Sequence, residues 1–98
     1  MRWPGNSNIA DSKGWVLYRL GRLAEAEDWL RRAATQSDSA VVTSHLGDVL
    51  NARGDVAAAV EQWRIALGQE PDERTRAALE EKVRQAEVAA PAAAKERP

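Results

Sequence analysis

The chain has 98 residues, of which 44% are hydrophobic and 30% are charged, and it contains no cysteine. This length suits one small domain and is too short for two independent cores. The 14 basic and 15 acidic residues give a formal charge of −1, whereas non-specific binding to a phosphate backbone needs a clear basic excess. The composition therefore argues against disulfides, thiolate metal sites and a nucleic-acid partner.

The first predicted element is a helix that follows an irregular lead-in. Residues 1–6 contain a Pro-Gly pair and are predicted to be irregular. Ser7 or Asn8 can cap a helix that runs to about Leu20, because apolar residues recur there at helical spacing. Gly21 ends this helix, since glycine readily adopts the left-handed conformation that helix ends often require. Its apolar positions are Ile9, Ala10, Val16, Leu17 and Leu20.

The next three predicted helices complete two helical hairpins. The second helix covers about residues 23–36, and a Ser-Asp-Ser turn at 37–39 caps the third, predicted over about 40–53. Glycine and aspartate at 54–55 end the third helix and cap the fourth, predicted over about 56–67. The apolar face of the second helix comprises Leu23, Ala26, Leu30 and Ala33.

A fifth helix is predicted without a partner helix after it. Pro71 opens this helix, and Asp72 and Glu73 place acidic side chains at its positive end. The helix runs to about Val88. Residues 89–98 are mainly Ala, Pro, Lys and Glu, a composition that predicts a disordered tail.

The two hairpins repeat one another. When Gly14 is laid over Gly47, an offset of 47 − 14 = 33 residues, identical residues coincide along both hairpins. The matched pairs are Val16 with Val49, Leu17 with Leu50, Gly21 with Gly54, Ala24 with Ala57, Ala26 with Ala59, Arg31 with Arg64, and Ala33 with Ala66. Small residues at fixed places with this period are typical of a helical solenoid, whose units bury their apolar faces on each other.

The second repeat resembles the tetratricopeptide repeat (TPR). The residues that carry the resemblance are Leu46-Gly47, Leu50, Gly54, Ala59, Trp63, Ala66 and Pro71. The first repeat keeps Gly14, Leu17, Gly21, Ala26, Leu30 and Ala33. It departs from the family pattern at Lys13, where Leu is usual, at Asp38, where Pro is usual, and in a turn that is one residue short. The segment 11–22 is similar to the last full repeats of large bacterial TPR proteins, some of which act at the cell envelope.

This resemblance implies the fold and a general role. The fold is all-α, a right-handed helical-hairpin solenoid of two TPR units, 7–39 and 40–73, with a C-terminal capping helix over 71–88. The implied role is a non-enzymatic adaptor that binds a partner peptide or protein in the concave groove of the solenoid. No cofactor is expected.

The resemblance also implies which residues face the groove. In the family, fixed positions of the first helix of each unit line it, and the matching residues here that suit a peptide are Asp11, Trp15, Tyr18, Arg19, Asp48 and Asn51. Packing of Trp15 and Tyr18 on the third helix is an equally compatible interpretation, because aromatic residues are enriched in cores as well as interfaces. The basic clamp of chaperone-binding TPRs is not reproduced, since Asp11 and Trp15 stand at its Lys and Asn places.

Catalysis and metal binding are not expected. His45, the one histidine, lies beside Ser44 and near Asp48, but adjacent residues of a helix point in divergent directions, so these three do not make a nucleophilic triad. The acidic residues have basic neighbours along the helices, as solvated helix faces do. Metal ligands of suitable type and spacing are lacking.

Self-association, or membership of a longer TPR array, is the alternative role. Trp3 lies before the repeats, and Trp29 occupies a position that holds Gln62 in the second repeat, so both are expected to project outward at an oligomer interface. Lys13 indicates that the N-terminal end is adapted to water.

No apolar run is long enough to cross a bilayer and no signal peptide is evident. The expected location is the cytoplasm, or the cell envelope or periplasm if the sequence belongs to a longer exported protein.

Overall fold

The structure, a computed structural model, describes residues 6–89 and the side chains of residues 9–88. Five α-helices make up this part of the chain: α1 (Asn6–Arg19), α2 (Leu23–Thr35), α3 (Ala40–Ala52), α4 (Val56–Leu67) and α5 (Glu73–Ala89). Helices α1 and α2 form one hairpin, α3 and α4 form the next, and α5 packs on α4. The predicted all-α arrangement of stacked hairpins is confirmed. The position of Trp3 and nearly all of the predicted tail lie outside the described residues.

Two glycines close the two hairpins in the same way. Gly21 and Gly54 have φ values of +82° and +91°, in the left-handed region that side chains rarely tolerate. In each turn the residue after the glycine donates its backbone N–H five residues back: Arg22 to Leu17 at 2.9 Å, and Asp55 to Leu50 at 3.0 Å. This bond satisfies a carbonyl that the helix end would otherwise leave unpaired.

Short polar side chains begin the later helices. Ser39 Oγ accepts the Val42 N–H at 3.4 Å, and Asp55 Oδ1 accepts the Ala58 N–H at 3.2 Å, as N-caps do. Asp72 is the N-cap of α5, and its hydrogen bond from the Thr75 N–H lowers the pKa of the Asp72 carboxyl below its ordinary 3.8.

Two predicted helix starts are wrong by a residue or two. Helix α1 begins at Asn6, so Ser7 and Asn8 lie within it and do not cap it. Pro71 precedes the cap residue Asp72 and does not open α5, which starts at Glu73. Pro71 is buried and lies in the connection that precedes α5.

Alanine and glycine allow the two helices of each hairpin to approach. Ala26, Ala33, Ala59 and Ala66 are completely buried. A Cβ atom added to Gly14 would lie 2.6 Å from Leu30 Cγ, far inside van der Waals contact. These positions confirm the close-contact role that the repeat pattern predicts.

Helix α1 buries only some of its apolar residues. Ala10 and Leu17 are buried, whereas Ile9, Val16 and Leu20 are 55%, 57% and 65% exposed. Helix α1 packs on α2 with one side and meets α3 with another. The third side of α1 is not covered by any described residue.

The junction between the two hairpins carries an ion pair as well as apolar contacts. Glu27 of α2 accepts hydrogen bonds from Arg31 at 2.8 Å and from Arg53, the C-cap of α3, at 2.6 Å. Burial of Glu27 opposes its ionisation, but the two guanidinium groups outweigh it and keep the pKa of Glu27 below its ordinary 4.5.

Candidate functional site

The first helix of each repeat and the terminal helix form a three-helix surface. Helix α3 lies between α1 and α5 and contacts both. Asp11 of α1 is bonded to His45 of α3, Oδ1 to Nδ1, at 2.7 Å. Lys82 of α5 donates to Asp48 Oδ1 at 2.9 Å. The two residues of each pair are 34 positions apart, about one repeat length. Each pair therefore joins corresponding positions of successive helices on this surface.

Three rings cluster on the α1 side of this surface. The Trp15 ring stacks on Tyr18 with centroids 4.7 Å apart and on His45 with centroids 4.1 Å apart, each at 25° between planes. Trp15 and Tyr18 are half-buried, and Tyr18 also packs on the hydrophobic core. Trp15 thus combines a packing role with an accessible surface.

The α5 side is organised around one carboxylate. Asp48 accepts a hydrogen bond from Trp63 Nε1 at 3.2 Å in addition to those from Lys82. The Lys82 ammonium also lies 6.0 Å from the centre of the Trp63 ring. Asp48 is therefore engaged inside the molecule, and it links α3, α4 and α5.

Two depressions open on this surface, with Asp48 and Lys82 on the border of both. The one nearer the α3 N-terminus has a volume of about 270 Å³. Its lining comprises Trp15, Val41, Ser44, His45, Asp48, Arg74, Thr75, Ala78 and Lys82. The other measures about 250 Å³. Its lining comprises Asp48, Asn51, Trp63, Lys82, Gln85 and Ala86. We refer to the three-helix surface with these two depressions as the groove.

The structure brings most of the six predicted binding residues to the groove. Asp11, Trp15 and Tyr18 lie in the aromatic cluster or bond to it, and Asn51 lines the smaller depression. Asp48 lies at the centre. The sixth, Arg19, is exposed at the end of α1 and lines neither depression.

Sequence reasoning missed the contribution of α5 and of His45. Arg74 and Lys82 supply cationic groups to the larger depression, and His45 stacks on Trp15. The signal that could have revealed these pairs is the 34-residue separation of Asp11 from His45 and of Asp48 from Lys82.

The polar residues of the groove do not assemble a nucleophilic triad. His45 is bonded to Asp11 of another helix, while Asp48 is bonded to Trp63 and Lys82. Within the described part of the chain, no group of three or more His, Cys, Asp or Glu side chains could hold a metal ion. None of the five helices is long and apolar enough to cross a membrane.

Trp29 lies away from the groove and is less exposed than expected. It is half-buried and packs on both hydrophobic clusters. The Lys13 ammonium lies 4.9 Å from its ring centre and the Arg32 guanidinium 5.0 Å. Lys13 and Arg32 flank its ring, and the place of Trp29 at an oligomer interface stays a prediction.

The fold and groove define a helical-repeat protein of stacked hairpins. The model of the tetratricopeptide repeat family matches residues 12–32 and 40–64, one segment in each hairpin. The two hairpins therefore carry tetratricopeptide repeats, which are in general protein–protein interaction modules and are typically non-enzymatic.

A bacterial relative is similar to part of the chain. A curated TPR repeat-containing protein of Pseudomonas aeruginosa is 44% identical over 45 residues, which are 46% of this chain and 8% of that protein. The chain thus matches a small part of a much longer protein. No solved structure is significantly similar to the chain.

Proposed function

We propose that the groove formed by α1, α3 and α5 binds a segment of a partner protein. The observation that carries this proposal is the larger depression, of about 270 Å³, which receives residues from all three helices. The sequence predicts binding in a groove between the first helices of the two repeats. Helix α5 forms a third side of this groove.

The chemistry of the depression indicates what the segment offers. The Trp15 ring, the 44%-exposed Val41 and Ala78 provide apolar surface. Burying an apolar side chain against them favours binding, and half-buried aromatic rings supply much contact area with few rotatable bonds.

The charged residues around the larger depression further restrict the chemistry of the partner segment. Asp48 is already bonded to Lys82, whereas no carboxylate among the described side chains is within salt-bridge distance of Arg74. Arg19, also without such a contact, lies at the α1 end. We infer a segment that places an apolar side chain in the depression and a carboxylate or backbone carbonyl near Arg74.

The first experiment is capture of the partner from cells of the source organism with a groove variant. The Trp15→Ala/Arg19→Ala protein is expected to lose the partner while keeping the helical content of the wild type by circular dichroism. The matched control, Ile65→Ala/Arg76→Ala, removes one exposed apolar side chain from α4 and one exposed basic side chain from α5. It should capture normally, because neither residue lines a depression.

A second pair of variants tests the role of charge without disturbing the aromatic cluster. Arg74→Glu should weaken binding of the captured partner in a direct titration, whereas Arg76→Glu should not, because Arg76 is exposed on the same helix but lines neither depression. Equal capture by the double groove variant and the wild type would reject the groove as the binding site.

A further inference from the structure

The uncovered side of α1 is an ordered stripe and not a scatter of apolar residues. Ile9, Lys13, Val16 and Leu20 follow one another at intervals of four, three and four residues, so they share one face of the helix. Lys13 stands in the middle of this face, with its ammonium 4.9 Å from the Trp29 ring centre. We call these four residues the α1 stripe.

The internal repeat shows which kind of element covers such a stripe. At the offset of 33 residues, Ile9, Lys13, Val16 and Leu20 correspond to Val42, Leu46, Val49 and Arg53 of α3. Val42, Leu46 and Val49 are 3%, 2% and 0% exposed.

Helix α2 contacts this side of α3 near both of its ends. Near one end Val42 clusters with Ala33, and near the other Arg53 is bonded to Glu27. The equivalent cover of α1 is therefore a second helix of a hairpin, seated on the α1 stripe as α2 is seated on α3.

Two differences between the stripes define the chemistry of this covering helix. Lys13 replaces the buried Leu46, so the covering helix needs a carboxylate at the facing position, since an unpaired ammonium is costly to bury. Leu20 replaces Arg53, so the place that Glu27 holds in α2 must be apolar. The Arg32 guanidinium near Trp29 adds to the positive border on the Lys13 side.

The same charge argues against a second copy of this chain as the cover. A two-fold contact pairs a surface with itself, and stripe against stripe would bring the two Lys13 ammonium groups together at its centre. The second helices of the two hairpins, α2 and α4, already have their apolar faces buried within the chain.

We propose that the α1 stripe is a docking site for an amphipathic helix that is the second helix of a helical hairpin, as α2 is in this chain. This partner helix carries small or apolar residues toward Ile9, Val16 and Leu20 and a carboxylate toward Lys13. The site is separate from the groove, so its existence does not depend on the groove proposal.

Peptides based on α2 test this proposal. The parent probe has the sequence of residues 22–36 with Glu27→Leu and is held helical by a staple on its solvent-facing side, because a free helix of this length is marginal in water. The charged probe adds Ala34→Glu. Ala34 packs on both hydrophobic clusters, one of which contains Val42 and the other Leu46, so its equivalent is the position chosen to present the carboxylate to Lys13. Each probe is titrated into the full chain with the amide signals of residues 9–20 followed by NMR.

The proposal predicts binding at the stripe with a preference for the carboxylate. The charged probe should bind about tenfold more tightly than the parent, and Lys13→Glu in the chain should reverse this order. Val16→Asp should abolish binding of both probes, whereas Ile65→Asp, at an exposed apolar residue of α4, should leave it intact.

Other outcomes would overturn the proposal. Binding that survives Val16→Asp, or the absence of binding by either probe, contradicts it. A dimer seen by sedimentation equilibrium and removed by Val16→Asp would assign the stripe to a second copy of this chain. Because Val16 is 57% exposed, the fold should tolerate the substitution, and Lys13→Glu provides a readout that removes no apolar surface.

Discussion

Adding one methyl group at Gly47 tests the packing on which the hairpin rests. A Cβ atom at this position would lie 2.5 Å from Trp63 Cδ1 and closer still to Trp63 Nε1. Trp63 is 3% exposed and its indole N–H is bonded to Asp48. The ring is rigid and enclosed, so the new atom cannot be accommodated by a flexible chain end.

The free energy of unfolding should fall by about 2 kcal/mol in Gly47→Ala. Overpacking a core costs about 1–3 kcal/mol, and alanine recovers about 1 kcal/mol over glycine within a helix. Displacing the indole weakens its hydrogen bond to a carboxylate, a type of bond that contributes about 1.5–3 kcal/mol. For a domain of this size a 2 kcal/mol loss lowers Tm by about 8–16 °C.

Gly68→Ala is the matched control. Gly68 has φ −80° and ψ −6° at the end of α4, and an added Cβ would meet Ile65 O at an ordinary 3.4 Å. This substitution should be neutral or stabilise by up to about 1 kcal/mol, because alanine reduces the entropy of the unfolded chain. Urea unfolding followed by circular dichroism and Trp fluorescence measures both variants.

A double-mutant cycle separates the steric clash from other effects. Trp63→Leu removes the atoms that the new methyl group meets, so Gly47→Ala should cost less in that background than in the wild type. Equal costs in both backgrounds, or a Gly47→Ala protein as stable as Gly68→Ala, would refute the close approach of α3 and α4.

Three further predictions concern single contacts. Gly54→Ala should lower the free energy of unfolding by about 1 kcal/mol in urea titrations, because φ is +91° there. Gly54→Asn should cost less, and equal costs would contradict the explanation by backbone strain at positive φ. Lys82→Met should destabilise by no more than about 1 kcal/mol, since its side chain is 36% exposed, and it should speed amide exchange in α5; unchanged exchange would show that Asp48 does not hold this helix. The depressed pKa of Glu27 means that its stabilising contribution is present above pH 4.5 and is lost as pH falls through the lower folded-state value. Urea midpoints of Glu27→Gln should therefore decline less on acidification than those of the wild type, and parallel declines would contradict the role of Arg53.

The hairpins could be predicted from the sequence because their signals are local. Gly21 and Gly54 supply the positive φ that each turn requires, and Ser39 and Asp55 supply caps that depend only on residues three positions away. Helical periodicity and the 33-residue offset then fix which helices pair.

The coverage of α1 could not be predicted in the same way. Ile9, Val16 and Leu20 have the same apolar character as Leu17, and periodicity does not say whether a neighbouring element exists to cover a given side. Only the folded arrangement shows that α2 and α3 occupy two sides of α1 and leave the third open.

The groove contacts depend on the register between consecutive hairpins, which a pattern of apolar residues does not define to one residue. The connection from α2 to α3 has 40 − 35 − 1 = 4 residues, and that from α4 to α5 has 73 − 67 − 1 = 5. Lys82 of α5 reaches Asp48 of α3, a contact that the apolar pattern of neither helix predicts. The carboxylate expected to face a partner is thereby bonded within the molecule.

Photo-crosslinking from two adjacent positions of α5 tests the groove most directly. Ala77 and Ala78 are both exposed, but only Ala78 lines the larger depression. With benzoylphenylalanine at either position, irradiation in cells of the source organism should yield a crosslinked partner from position 78 and none from position 77. The same partner crosslinked from position 77 and not from position 78 would place binding outside the groove.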